Sequence, residues 1–346
     1  MRPVLRLFPF LLLILLLPAC NATGGSIGNG SSSTPVFQPT LTQVSTTAPS
    51  VTPIPVTDTP TVIIDTPTPI ASDTLTPTST PTPETVVRFA VIGDYGTGGG
   101  PEADISEIVK SWDPDFIITT GDNNYPDGSQ ETIDTNVGQF YHEFIYPYNG
   151  DYGDGADRNR FYPSLGNHDW NTFEAQPYLD YFTLPGNERY YEFTWGPLHF
   201  FAIDSDSREP DGVGSSSIQA EWLRNALASS SAQWKIVYMH HPPYSSGRHG
   251  PVDWTRWPYQ AWGASAVLSG HDHTYERIMV DGFPYFVNGL GGASKYSFEE
   301  IMDGSQVRYN ADNGAMLIEA DSSRITFQFI DRQGVLIDSY TLNKAE

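Results

Sequence analysis

A chain of 346 residues holding 18 Lys and Arg against 41 Asp and Glu carries a formal net charge of −23. That balance excludes a nucleic-acid or anionic-membrane surface, and the single cysteine, Cys20, excludes an internal disulfide. An anionic substrate stays open wherever metal ions supply positive charge locally.

At the start of the chain Arg2 and Arg6 precede an apolar run over 7–17, which ends in Leu17-Pro18-Ala19-Cys20. A basic start, a short apolar stretch and a small-residue processing site predict an export signal over 1–20, since the run is too short to span a bilayer comfortably. The place of Cys20 after Leu-Pro-Ala resembles a bacterial lipobox, with Pro18 departing from the usual small or branched residue. The expectation is an exported, cell-surface lipoprotein whose membrane contact is a lipid anchor at Cys20. Residues 21–86 contain no Lys or Arg and are dominated by Thr, Ser, Pro and Gly. Such a segment cannot bury enough apolar surface to offset its ordering entropy, which predicts a disordered tether reaching on the order of 100–200 Å.

From 87 to 346 apolar runs alternate with glycine-rich breaks, as expected of one layered α/β domain. Five runs end in a residue able to bind metal. Arg-Phe-Ala-Val-Ile-Gly at 88–93 leads into Asp94, Phe-Ile-Ile-Thr-Thr-Gly at 116–121 into Asp122, and Phe-Tyr-Pro-Ser-Leu-Gly at 161–166 into Asn167. Trp-Lys-Ile-Val-Tyr-Met at 234–239 leads into His240, and Ala-Val-Leu-Ser-Gly at 266–270 into His271. Helical patterns lie between them at 103–112 and 218–228. Ligands in such folds gather beyond the carboxyl ends of strands, so these side chains can converge.

Each motif alone has an ordinary reading. Gly-Asp-Tyr-Gly at 93–96, Gly-Asp-Asn-Asn-Tyr at 121–125 and Gly-Asn-His-Asp at 166–169 use the vocabulary of turns. Gly-His-Asp-His at 270–273 is stronger, because glycine allows close backbone approach and alternating histidines offer two imidazoles. His142, His199 and His249 fall outside the motifs and are read as structural.

Taken in order, Gly-Asp, Gly-Asp-x-x-Tyr, Gly-Asn-His-Asp, Val-x-x-His and Gly-His-x-His resemble the calcineurin-like metallophosphoesterases, and within them the purple and tartrate-resistant acid phosphatases. The resemblance covers 87–290. It implies a four-layer α/β/β/α sandwich, with the segment 314–342 adding strands. It also implies two metal ions, the first held by Asp94, Asp122, Tyr125 and His273, the second by Asp122, Asn167, His240 and His271. Many relatives place a His two after the first Asp, where this chain has Gly96; Tyr125 is the position from which purple acid phosphatases supply a phenolate instead. Fe(III) is expected at the first site, with Fe, Zn or Mn at the second. His168 would be the general acid for the leaving alkoxide, and His241 a substrate contact. The implied activity is hydrolysis of small phosphomonoesters at the cell surface. Alternatives are a phosphodiesterase or nucleotidase on the same scaffold, and a non-catalytic surface binding module.

Overall fold

The computed structural model describes residues 86–344. The expected export signal, Cys20 and, apart from Val86, the expected tether lie outside the described residues.

Two β-sheets face one another. The first contains β1 (Val87–Ile92), β2 (Phe116–Thr119), β3 (Phe161–Pro163), β11 (Gly314–Ala320), β12 (Arg324–Asp331) and β13 (Leu336–Asn343), in the order β13-β12-β11-β1-β2-β3. The second contains β4 (Tyr191–Trp195), β5 (Leu198–Ala202), β6 (Trp234–Tyr238), β7 (Ala266–Ser269), β8 (Tyr275–Val280), β9 (Phe283–Asn288) and β10 (Ser305–Tyr309), in the order β10-β8-β9-β7-β6-β5-β4. Within each sheet the strands that lead into the motifs are parallel neighbours: β1, β2 and β3 in the first, β6 and β7 in the second. These strands are covered on both faces, which is why they read as continuous apolar runs without alternation.

The sheets meet across aromatic side chains. Phe116 of β2 stacks on Phe89 of β1 at 5.0 Å and meets Phe200 of β5 edge-on at 5.2 Å, with Trp195 at 4.8 Å and Phe193 at 5.7 Å. The helix Gly100–Ser111 buries Ile105 and Val109 beside β11, while the helix Ile218–Ser229 buries Leu223 and Leu227 among Phe201, Val237 and Met239. Helices therefore cover both outer faces, and the four-layer α/β/β/α sandwich expected from the resemblance is the fold observed.

The element boundaries differ slightly from expectation for local reasons. The first helix begins at Gly100 instead of 103, because Pro101 has the φ of a first helical turn and its missing N–H would have no intrahelical partner there. β3 stops at Pro163, earlier than the expected 166. The C-terminal segment supplies β11, β12 and β13, with β11 antiparallel to β1.

Phe116 is fully buried at the junction of the sheets. Phe116→Ala should destabilise the domain by about 3–5 kcal/mol, read as a lower urea midpoint with unchanged slope; a loss below 1 kcal/mol would show that the aromatic junction does not hold the sheets together.

Candidate metal centre

The loops after β1, β2, β3, β6 and β7 bring the predicted residues together. Asp94, Asp122 and His271 each take a left-handed backbone, with φ of 54°, 51° and 69°. L-residues rarely adopt this conformation, and it survives only where surrounding contacts over-determine it. Here they do: the Asp94 carboxylate accepts the His271 amide at 2.9 Å, and the Asp122 carboxylate accepts the His168 amide at 2.9 Å. Gly270 makes the approach possible, since a Cβ on it would lie 2.5 Å from Asp94 Oδ2.

One group of donors forms around Tyr125. Its hydroxyl lies 3.0 Å from Asp122 Oδ2, 3.3 Å from Asp94 Oδ1 and 3.2 Å from His273 Nε2, and the last two atoms are 3.3 Å apart. Such separations are those of ligand atoms sharing one ion through bonds of about 2.0–2.2 Å. His273 donates its Nδ1–H to the Ser294 carbonyl at 2.5 Å, which leaves the Nε2 lone pair facing the group. Burial alone would raise the Asp94 carboxyl, but the His273 hydrogen bond and the charges of His240 and His273 outweigh it and hold the carboxyl below its usual range. Burial and then the Asp122 and Asp94 carboxylates push the Tyr125 phenol well above its ordinary value.

Gly96 explains the tyrosine. A Cβ at this position would lie 1.7 Å from the Asn123 carbonyl oxygen, so no side chain fits. The same loop donates the Tyr125 amide to the Gly96 carbonyl at 2.7 Å. The close approach at Gly96 and the delivery of the phenol from 125 thus belong to one backbone crossing.

A second group centres on His240 Nε2, which lies 3.0 Å from Asn167 Oδ1, 3.1 Å from His271 Nδ1 and 3.4 Å from Asp122 Oδ1. His240 donates Nδ1–H to the Thr120 carbonyl at 2.9 Å, so its Nε2 also presents a lone pair. Asp122 turns one oxygen to each group. His271 is driven far below its ordinary value by burial and by His240 and His241, which keeps it neutral, as a ligand must be. Two overlapping sets, Asp94 with Asp122 and His240, and His240 with His241 and His271, have ligand atoms within 4.8 Å of one another, so the donor chemistry fits metal ions.

His168 stands beside these groups with its Nε2 3.9 Å from Asp122 Oδ2, and its side chain is 34% exposed. Its Nδ1–H is committed to the Pro126 carbonyl, so Nε2 alone can exchange a proton with a bound molecule. His241 is buried, with its ring 4.9 Å from His240 and 4.5 Å from His271, and its Nδ1 is 3.0 Å from Ser205 Oγ. Burial and the His240 charge push it down to about 3.

Three features escaped the sequence reading. His249, read as structural, packs its ring at a tilt against His271 at 4.4 Å, and Tyr296 stacks on His273 at 4.0 Å. Neither follows a strand, so no strand-end signal marked them. Asp169 closes the third motif by accepting the amides of Gly166 and Asn123 at 2.8 and 3.1 Å, and burial with the Asp122 charge pushes it up to about 7. His142 and His199 do lie outside the groups, paired with the Asp154 carbonyl and with Ser230 and Glu192 respectively.

A model of the calcineurin-like phosphoesterases matches residues 87–275, more than half of the chain. The chain belongs to the calcineurin-like phosphoesterase family. As a member it is a metal-dependent phosphoric-ester hydrolase. Among its relatives, rat (Rattus norvegicus) tartrate-resistant acid phosphatase type 5 is 26% identical over 250 residues, covering 60% of this chain and 73% of the rat protein. Purple acid phosphatase 17 of Arabidopsis thaliana is also 26% identical, over 60% of this chain and 69% of the plant protein. Two solved structures share the fold at 20% identity. Purple acid phosphatase PPD1 of yellow lupin (Lupinus luteus) superposes with a TM-score of 0.60 over 75% of this chain and 54% of the lupin chain, so this chain spans about half of that protein. GAP50, the anchor in the inner membrane complex of Plasmodium, superposes with a TM-score of 0.59 over 75% and 90%.

Proposed function

We infer that this phosphoesterase is a dinuclear, acid phosphatase-like phosphomonoesterase working at the cell surface on small phosphate esters. The observation that carries the reading is the Tyr125 hydroxyl, 3.0–3.3 Å from two carboxylates and an imidazole. Asp94, Asp122, Tyr125 and His273 would hold one ion; Asp122, Asn167, His240 and His271 would hold the other. Two such ions supply Lewis acidity that draws phosphoryl oxygens and acidifies water.

The environment of Tyr125 favours Fe(III) at the first position. Burial and two carboxylates keep the phenol protonated, so only a hard, highly charged cation displaces the proton and profits from the resulting oxygen anion. The second set, one amide oxygen and two imidazoles beside the shared carboxylate, suits Fe, Zn or Mn. His241, buried and neutral, can donate one hydrogen bond to a phosphoryl oxygen.

His168 would protonate the departing alkoxide. Its Nδ1–H is held by the Pro126 carbonyl, so the imidazolium has one free donor, Nε2–H, on the side of Asp122. The other reading with a specific observation behind it is a binding module, since GAP50 is an anchor on the same fold. The full donor set in this chain favours catalysis, and turnover of any phosphate ester by the metal-loaded protein separates the two. Initial rates on p-nitrophenyl phosphate and bis(p-nitrophenyl) phosphate test monoesterase against diesterase or nucleotidase preference.

Three outcomes are expected. Protein containing Fe(III) should be coloured by phenolate-to-iron charge transfer and Tyr125→Phe should lose the band; iron-bearing wild type without a visible band attributable to that ligand refutes the assignment. His168→Ala should slow alkyl phosphates by about 10²- to 10⁴-fold, yet barely affect p-nitrophenyl phosphate, whose leaving group needs little protonation; equal losses at full metal occupancy would show that His168 only orients Asn167. Cys20→Ser should move activity from the membrane fraction to the soluble one with specific activity retained, because acyl chains provide the anchor; an unchanged distribution would point to an uncleaved signal anchor.

A further inference from the structure

The loop that follows β5 carries none of the motifs, yet it touches the surroundings of the second donor group at two points. Ser205 Oγ accepts the His241 amide at 2.8 Å and stands 3.0 Å from His241 Nδ1. Three residues on, the Arg208 guanidinium donates to the Asn167 carbonyl at 2.9 Å and to Asn171 Oδ1 at 3.1 Å. β5 belongs to the second sheet and Asn167 follows β3 of the first, so Arg208 joins the two sheet ends beside the centre.

The Asn167 carbonyl and the His168 N–H are the two ends of one planar peptide unit. Arg208 holds the carbonyl and the Asp122 carboxylate holds the N–H, each at 2.9 Å. Rotating the unit breaks one bond or the other. Its orientation governs where both neighbouring side chains point: Asn167 Oδ1 lies 3.0 Å from His240 Nε2, and His168 Nε2 lies 3.9 Å from Asp122 Oδ2. One guanidinium therefore constrains a donor of the second group and the imidazole beside it.

Arg208 is itself held in place. The Asp206 carboxylate takes its Nε at 2.7 Å and one Nη at 2.8 Å, and accepts the Arg208 amide at 2.9 Å as well. Such two-pronged pairing fixes direction as well as distance. Asp206 rests in turn on buried Asp204, which accepts the Asp206 amide at 2.9 Å and the Trp170 indole N–H at 3.0 Å. With its side chain 41% exposed, Arg208 gains little fold stability from the ion pair. Its charge alone would also repel a cation in the second group. Asp206 cancels that charge and leaves a directed N–H, so the arrangement retains the geometry of an arginine without its repulsion.

We propose that Arg208 is a positioning residue for the second ion, fixing the Asn167–His168 peptide and thereby aiming Asn167 Oδ1 into the second donor group. The inference rests on the dinuclear reading above and adds a residue that acts on that site from outside it.

Zinc binding tests the proposal by its direction, because removing a nearby positive charge would tighten a cation, whereas removing a strut loosens it. Metal-free wild type, Arg208→Met and Arg208→Lys, each checked for folding by its urea midpoint, are titrated with Zn²⁺ by calorimetry. Wild type should take two ions. Arg208→Met should bind one of them about tenfold more weakly, within the range usual for outer partners of metal ligands, and leave the other unchanged. Arg208→Lys, which keeps an N–H donor, should recover most of the loss. Crystals of metal-free Arg208→Met should show Asn167 Oδ1 displaced from His240 Nε2, a readout that needs no metal. Equal or tighter zinc binding by Arg208→Met, a parallel loss of both ions, or an unmoved Asn167 overturns the positioning role. Wild type that takes fewer than two ions overturns the dinuclear reading, and the place of Asn167 in the metal-free crystals then decides on Arg208 separately.

Discussion

Asp94 and Asp122 are almost completely buried carboxylates that share one small volume with Tyr125, His240, His271 and His273. Burying an ionised carboxylate costs several kcal/mol unless opposite charge is close at hand. The protein meets part of this crowding with His240 and His273: burial lowers both imidazoles, but the Asp94 and Asp122 carboxylates outweigh it and hold them above their ordinary range. It ties the outer N–H groups of His240 and His273 to backbone carbonyls, so that their inner nitrogens offer lone pairs. It also keeps His271 neutral through burial and its imidazole neighbours. A cluster arranged this way can take external positive charge in place of those protons, and the left-handed backbones of Asp94, Asp122 and His271 are tolerated because their neighbours hold them to the same end.

The scaffold requirement follows. Donors from both sheets must meet within 3.0–3.4 Å, and only fixed strands hold atoms so closely. β1, β2 and β3 bring Asp94, Asp122 and Asn167 from one sheet; β6 and β7 bring His240 and His271 from the other. The aromatic layer around Phe116 sets the distance between the sheets, and the Thr120 carbonyl, reached by His240 Nδ1, couples the two sheet ends directly.

This division explains what was legible before the structure. The strand-end residues could be read because a parallel strand covered on both faces is a continuous apolar run, and the residue that breaks it is conspicuous. Tyr125 and Gly96 were readable as a pair, although the reason, a backbone crossing that leaves no room for a side chain at 96, belongs to three dimensions. His249 and Tyr296 could not be found this way: they reach His271 and His273 by ring contacts from loops of no regular period. Asp169 stood inside a quoted motif, but its service to the amides of Gly166 and Asn123 appears only once the loop is folded. The bond from Arg208 to the Asn167 carbonyl joins loops of different sheets and has no linear signature.

An acidic protein acting on an anionic ester is a contradiction only until the range of each field is compared. Screening limits exposed charges to about 8 Å at physiological ionic strength, so the formal charge of −23 acts weakly inside a site shielded by protein. Several arginines are already matched by acids: Arg88 with Glu319, Arg189 with Glu209, Arg208 with Asp206, Arg277 with Asp338. These guanidiniums are therefore already engaged, and ions held by the donor groups would supply the attraction for phosphate. Charge selection is then concentrated at the centre, where the buried carboxylates and imidazoles converge.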